Sequence, residues 1–205
     1  MSISRLGRPR AKAAAKPRPD GGTAAYVLPP TATCRALLEK GSDRRFRTLV
    51  NDLFTIASRM EIVRAHLGRR MGISGPQYSL LVAVAHLQGA RGVSVGAIAQ
   101  TMHVSSAFIA AETGKMAKLG LLLKRSNPDD RRGVLISLAP AGRLELDRVS
   151  AEIRAINDLF FGALDAASFA ALSAAAQALV AGSGRALHYV KAVESDALSA
   201  AHAAE

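Results

Sequence analysis

Tryptophan is absent, cysteine occurs once, and aromatic residues make up only 4% of the 205-residue chain. The lone thiol, Cys34, excludes an internal disulfide framework and fits a reducing compartment. His66, His86, His103, His188 and His202 are scattered, with no His or Cys pair at the spacing of a tight metal site, so neither metal nor cofactor is expected. Nucleophile elbows and phosphate-binding glycine loops are missing too, and Gly182-Ser183-Gly184 reads as a break between two helices. Catalysis is therefore not expected. No apolar run reaches the length expected of a spanning helix, and the N-terminus lacks the apolar segment of a secretory signal. These absences point to a cytoplasmic protein without a membrane partner. Acid is the scarce charge: 16 Asp and Glu stand against 27 Lys and Arg, a net charge of +11 with a pI near 10.6. Such an excess asks for an anionic partner, most simply nucleic acid.

What is present falls into four stretches: a basic arm over 1–42, a first long helix over 43–75, a compact lobe over 76–140, and C-terminal helices over 141–205. The first 33 residues hold six basic side chains (Arg5, Arg8, Arg10, Lys12, Lys16 and Arg18) against the single acid Asp20. Their prolines and lack of apolar period predict a disordered arm that adds non-specific phosphate contacts. A solvated tail and an organelle transit segment remain open as alternatives.

Apolar residues make up 49% of the chain and alanine-rich stretches abound, favouring helices over sheets. From Asp43 to Arg70, Phe46, Leu49, Val50, Leu53, Ala57, Met60, Val63 and Leu67 recur at spacings of three and four, the stripe of one helix face. Ser42 is a suitable N-cap. Pro76 opens a second helix to about Gln88, apolar nearly all round and so expected to be buried. After residue 140 a helix to about Leu164 carries Leu144, Leu146, Val149, Ile153, Ile156, Leu159 and Phe160, and further helix is expected over 165–181 and 185–198. These helices have more apolar surface than a small lobe needs, and a second copy of the chain is its natural cover.

Residues 93–142 are the most informative stretch. A short strand at Val93 precedes a helix over 96–102, a turn at His103-Val104-Ser105, and a helix running to about Leu119 and ended by Gly120. Ser105 or Ser106 caps its start. Leu121–Lys124 and Val134–Leu138 are strand-like, with Arg125 to Gly133 carrying the turn chemistry of a long hairpin. Two helices joined by a tight turn and followed by a basic-tipped hairpin make a winged helix-turn-helix, which sets one helix in the major groove of DNA. Val104-Ser105, Lys118-Leu119-Gly120-Leu121, Asn127-Pro128-Asp129-Asp130-Arg131-Arg132-Gly133-Val134-Leu135 and Leu138-Ala139-Pro140-Ala141-Gly142-Arg143 together resemble the multiple-antibiotic-resistance regulator (MarR) family, over roughly residues 43–193.

The resemblance implies a mainly helical fold with a small β wing, and a homodimer whose terminal helices interlock. It also implies a DNA-binding transcriptional regulator, most simply a repressor of a pseudo-palindromic operator on double-stranded DNA. Ser105, Ser106, Ala107, Ala110 and Ala111 would then face base edges and phosphates. Alanines can touch thymine methyls but make no bidentate contact to guanine, so readout leans on DNA shape and the wing. Lys115, Lys118, Lys124 and Arg125 are candidates for phosphate contacts, although each is as readily a solvated charge. Asp130 is expected to pair with a local arginine, freeing Arg131 or Arg132 for the minor groove.

The family generally binds small anionic or phenolic effectors, which implies an aromatic acid or its thioester in a pocket lined by Phe54, Ser58, Arg59, His66 and Tyr78. A redox trigger is the rival, but the family's reactive cysteine position corresponds to Asn51, and Cys34 lies upstream without an evident activating charge. Two other classes stay open: an architectural protein that coats DNA without a ligand, and a winged-helix dimerisation module that has lost DNA binding.

Overall fold

The structure, a computed structural model, describes residues 26–202, with the backbone alone at 131–132 and 198–202. Of the arm expected over residues 1–42, residues 1–25, which hold its first six basic side chains and the phosphate contacts expected of them, lie outside the described residues, whereas 26–42 are described and include a 3-10 turn. The chain divides into two compact units, Met1–Leu53 and Phe54–Glu205.

In the first unit a 3-10 turn, Arg35–Leu37, precedes the start of helix α1 (Arg44–Arg70). The Ser42 hydroxyl accepts from the Arg44 N–H at 3.3 Å, but Asp43 and not the expected Ser42 holds the N-cap position, its carbonyl accepting the first helical bond from the Arg47 N–H at 2.9 Å. Asp43 is buried and accepts from the Thr31 amide at 2.6 Å and its hydroxyl at 2.8 Å, with Arg47 paired on its other oxygen. The Thr31 donors, ahead of the Arg47 charge, hold its carboxyl below the ordinary 3.8. Cys34 is exposed just before the 3-10 turn.

The second unit is mainly helical: α2 (Gly75–Leu87), β1 (Val93–Ser94), α3 (Val95–Met102), α4 (Ser106–Lys118), β2 (Leu122–Asn127), β3 (Asp130–Leu138), α5 (Pro140–Phe161) and α6 (Ala166–His202) follow the end of α1. The strands form one antiparallel sheet in the order β1-β3-β2, with Ile136 opposite both Val93 and Lys124. Ser74 caps α2 in a reciprocal box with Gln77, and Pro76 sits where its missing N–H is harmless. The core is built where three faces meet. Leu80, Leu81 and Val84 of α2, Ile98 of α3, Ile109 and Met116 of α4, and Ile136 of β3 have no exposed surface at all. Val149 of α5 closes this core, and α5 is further tied to α1 by Glu152, which bonds His66 at 2.6 Å and Arg70 at 3.1 Å.

Three further expectations are corrected. The helix break at Gly182-Ser183-Gly184 does not occur, because α6 runs unbroken through it. Two glycines cost a helix about 2 kcal/mol, which the alanine-rich flanks carry, and the Ser183 hydroxyl finds a partner inside the helix on the Val180 carbonyl at 2.7 Å. That continuity overturns a second expectation. Residues Ala166–Ala197, with mean hydropathy 1.4 and none of that surface buried, are long and apolar enough to cross a membrane by length and composition. The supposed break had divided this run into two short ones. Finally, the wing is strand almost to its tip. Arg125, Ser126 and Asn127 pair with Leu135, Val134 and Asp130, with a register shift between Ser126 and Asn127, and Pro128 and Asp129 join the two strands. Their polar side chains read as loop because both faces of the outer wing meet water.

Candidate nucleic-acid interface and adjoining cavity

The helix-turn-helix is set by three local devices. Ser94 caps α3 by accepting from the Ala97 N–H at 3.1 Å. His103 ends that helix in the left-handed region, φ 54°, while the Val104 N–H reaches back to the Ala99 carbonyl at 3.1 Å. Ser105, rather than Ser106, caps α4 by accepting from the Phe108 N–H at 3.2 Å. Within α4, Ile109, Thr113 and Met116 form the buried stripe, and the Thr113 hydroxyl is satisfied by the Ile109 carbonyl at 2.7 Å.

Helical spacing then puts Ala107, Ala111, Gly114 and Lys118 on the opposite face. Ser105, Ser106, Ala107, Ala110, Ala111, Lys115 and Lys118 are all exposed. Gly114, which the sequence reading did not single out, completes a face of small side chains that admits another backbone closely. Lys115 is held by Glu112 at 2.7 Å, and Glu112 in turn accepts from Gln77 of α2 at 2.9 Å. Lys115 and then Gln77 keep the Glu112 carboxyl below its ordinary 4.5.

Strand alternation separates two residues that sequence had grouped. Lys124 lies on the inner side of the sheet and donates to the Ala110 carbonyl of α4 at 3.4 Å. Arg125, the next residue, belongs to the outer side with Leu123 and Ser137. At the wing tip the Asn127 side chain accepts from the Asp129 N–H at 3.1 Å, and Arg91 pairs with Asp129 at 3.3 Å. Arg91 is a second residue missed by sequence; only the β1–β3 pairing brings its loop to the tip. The Asp130 carboxylate lies beside Gly133. The side chains of Arg131 and Arg132 lie outside the described residues.

Between α1, α2 and α5 is a cavity of about 500 Å³. Met60, Leu67, Ile153, Ile156, Phe160 and Phe161 supply its apolar wall, and Arg64, Tyr78, Ser79 and Asn157 its polar groups. Arg64 pairs with Glu61, yet its Nε is buried with no hydrogen-bond partner. Burial raises the Tyr78 phenol above its ordinary 10.0, so it remains an O–H donor at neutral pH. Of the five residues expected to line an effector pocket, the structure brings only Tyr78 to this cavity. Phe54 is 70% exposed, Ser58 and Arg59 face solvent, and His66 is engaged with Glu152. The cavity takes the face of α1 bearing Ala57, Met60, Arg64 and Leu67. Arg64 was legible as a charge in phase with the apolar stripe.

A family model described as the MarR family matches residues 71–133. The fold is similar to that of the transcriptional regulator SlyA, at 14% identity and a TM-score of 0.58, covering 69% of this chain and 98% of that one. It is also similar to a mutant MarR from E. coli complexed with operator DNA, at 15% identity and a TM-score of 0.56, covering 66% and 95%. An S. aureus MepR–DNA complex matches at 14% identity and a TM-score of 0.55, covering 64% and 96%. At such identities the likeness is one of fold. No curated protein sequence matches the chain.

Proposed function

We propose that the chain, whose residues 71–133 match the MarR family model and whose fold is that of a winged helix-turn-helix regulator, is a homodimeric DNA-binding repressor released from its operator by a small aromatic anion. The observation that carries this reading is the position of α2. Tyr78 and Ser79 of α2 form one wall of the cavity, and the neighbouring Gln77 bonds to Glu112 on α4. A molecule that moves the start of α2 therefore pulls directly on the helix offered to DNA. The unpartnered Arg64 Nε and the Tyr78 hydroxyl supply what a carboxylate needs, and the Phe160 and Phe161 rings, 5.0 Å apart, supply an aromatic wall. For release, the effector must bind the DNA-incompetent geometry more tightly, by the same free energy it removes from operator binding.

On α4, Ser105 and Ser106 sit at the end that enters a groove, Ala107, Ala110 and Ala111 offer methyl groups, and Lys118 meets phosphate. Lys115 serves when Glu112 releases it. Arg131 or Arg132 of the wing would enter the minor groove. Homodimerisation follows from the apolar surface left open on α6, where Phe169, Leu187 and Tyr189 are each at least 60% exposed. Two of the structures similar in fold are complexes with DNA, which supports DNA as the partner here. A cytoplasmic location accompanies this reading.

One observation favours a second reading. Up to Ala111 the open face of α4 carries serines and alanines, none able to make a bidentate contact to a base, as suits sequence-tolerant architectural binding. The deciding experiment measures binding to the gene's own upstream duplex and to a scrambled duplex near physiological salt, with and without a panel of aromatic acids and thioesters. A preference of about a hundredfold or more for the native duplex, abolished by one compound, is the expected result. Equal binding to both duplexes would sink the operator reading in favour of the architectural one.

A further inference from the structure

We propose that the outer face of the wing sheet carries a second anion site, a cleft that takes a phosphate-class oxyanion on Arg91, Arg125 and Arg143. The cleft is about 290 Å³ and is framed by the loop after α2, the outer side of β2 and β3, and the first turn of α5. Its location follows from strand period. With Lys124 turned inward onto α4, Arg125 must project from the opposite side, where Leu123 and Ser137 form the floor. Arg91 reaches the same place from the loop before β1, and Arg143 from the start of α5.

The charge balance of the cleft is one-sided, unlike that of arginines matched with acids elsewhere, such as Arg47 with Asp43 and Arg148 with Glu145. Around this cleft no acid belongs to the lining, and Asp129 on Arg91 is the one carboxylate in an ion pair with any of the three. Arg125 and Arg143 take part in no ion pair among the described residues. Three guanidinium groups brought together repel one another unless an anion joins them, and their planar forks match phosphate oxygens in pairs. The Ser137 hydroxyl adds a neutral donor. Gln88 fixes the floor by accepting from the Leu138 N–H at 2.8 Å. The volume is that of a headgroup-sized anion, well below the cavity between α1, α2 and α5. Because the site faces away from α4, it takes either a DNA phosphate flanking the half-site or a free phosphorylated molecule.

The test uses the full-length protein and the double variant Arg125→Gln with Arg143→Gln. Both residues are exposed, so an unchanged circular dichroism melt serves as the check on folding. In the first arm, inorganic pyrophosphate is titrated into arginine-labelled protein and the Nε–Hε resonances are followed at constant ionic strength. A saturable shift of Arg91, Arg125 and Arg143 is expected, with that of Arg91 lost in the double variant. A second arm compares a duplex ending at the half-sites with one longer by about a helical turn, roughly 10 base pairs, at each end. Tighter binding of the longer duplex, lost in the double variant with a drop in salt slope of about 0.9 per contact removed, assigns the flanking phosphate. Saturation by pyrophosphate without any length effect assigns a free phosphorylated ligand instead. The proposal is overturned if pyrophosphate gives no saturable shift and the variant treats both duplexes as the parent protein does. Since the first arm needs no DNA, failure of operator binding and failure of this site are separately visible.

Discussion

At the scale of single residues, the side chains that matter most are those whose hydrogen bonding is incomplete or strongly directional. Arg64 is one. A carboxylate that meets its orphaned Nε gains a charge-assisted bond worth about 1.5–3 kcal/mol. Arg64→Leu is therefore expected to weaken binding of a benzoate-class probe such as salicylate by roughly 10- to 150-fold. Calorimetry on the purified protein measures this, and affinity for DNA without the probe should stay the same. An unchanged salicylate affinity would remove Arg64 from the effector reading.

Glu112 is the other. Its folded value is depressed below 4.5 by Lys115 and Gln77, so its contribution is fully present above the unfolded value and is lost as pH falls through the folded one. Melts of the parent protein and of Glu112→Gln are expected to differ at neutral pH and to draw together progressively as pH falls below the ordinary 4.5. Glu152, lowered by His66 and Arg70, has the same sign and loosens α5 from α1 over the same acid range. A difference that does not shrink at all as pH falls would show that the Gln77–Glu112 bond contributes through its shape and not its charge.

At the scale of elements, close approach and helix continuity make opposite predictions for two kinds of glycine. In the first turn of α5, a Cβ on Gly142 would lie 2.2 Å from the Leu121 carbonyl oxygen, a backbone atom that cannot swing aside. Gly142→Ala is expected to destabilise by about 3 kcal/mol, the upper end of ordinary overpacking, seen as a lower urea midpoint. The glycines of α6 have room instead: Gly184 has nothing within 4 Å and Gly182 only the tip of Arg185 at 3.8 Å. Changing both to alanine is expected to stabilise by up to about 1 kcal/mol per site. A lower melting temperature in that double variant would restore the helix break that the sequence suggested.

At the scale of the whole molecule, the uncovered surface decides the state of assembly. Leu187 is 60% and Val190 47% exposed on an unbroken helix. Burying such faces against a second copy is worth about 25 cal/mol for each Å² of apolar area removed from water. Leu187→Glu with Val190→Glu is expected to halve the mass measured by light scattering and to weaken operator binding in parallel. A parent protein that is already monomeric at micromolar concentration would contradict the dimer directly. Removing the basic arm, residues 1–25, should lower DNA affinity and flatten its salt dependence while leaving the preferred sequence unchanged.

Much of this was determined by sequence alone. Local rules sufficed for the helix-turn-helix: the turn at His103-Val104-Ser105, a serine cap at the start of α4, and Gly120 after its end. Those signals act over three or four residues and need no distant partner. Local rules failed where cost is shared over a long element, as in α6, whose glycines are outvoted by thirty-odd helical neighbours, and in the wing, where backbone pairing overrides polar composition. Which arginines form a set was settled only by tertiary structure. Strand alternation parts Lys124 from Arg125, sheet order brings Arg91 to the wing, and the packing of α5 on α1 and α2 selects Arg64 and Tyr78 over Phe54, Ser58 and Arg59. Sequence spacing fixes which face of an element a residue occupies, but what that face meets depends on contacts between residues up to a hundred positions apart.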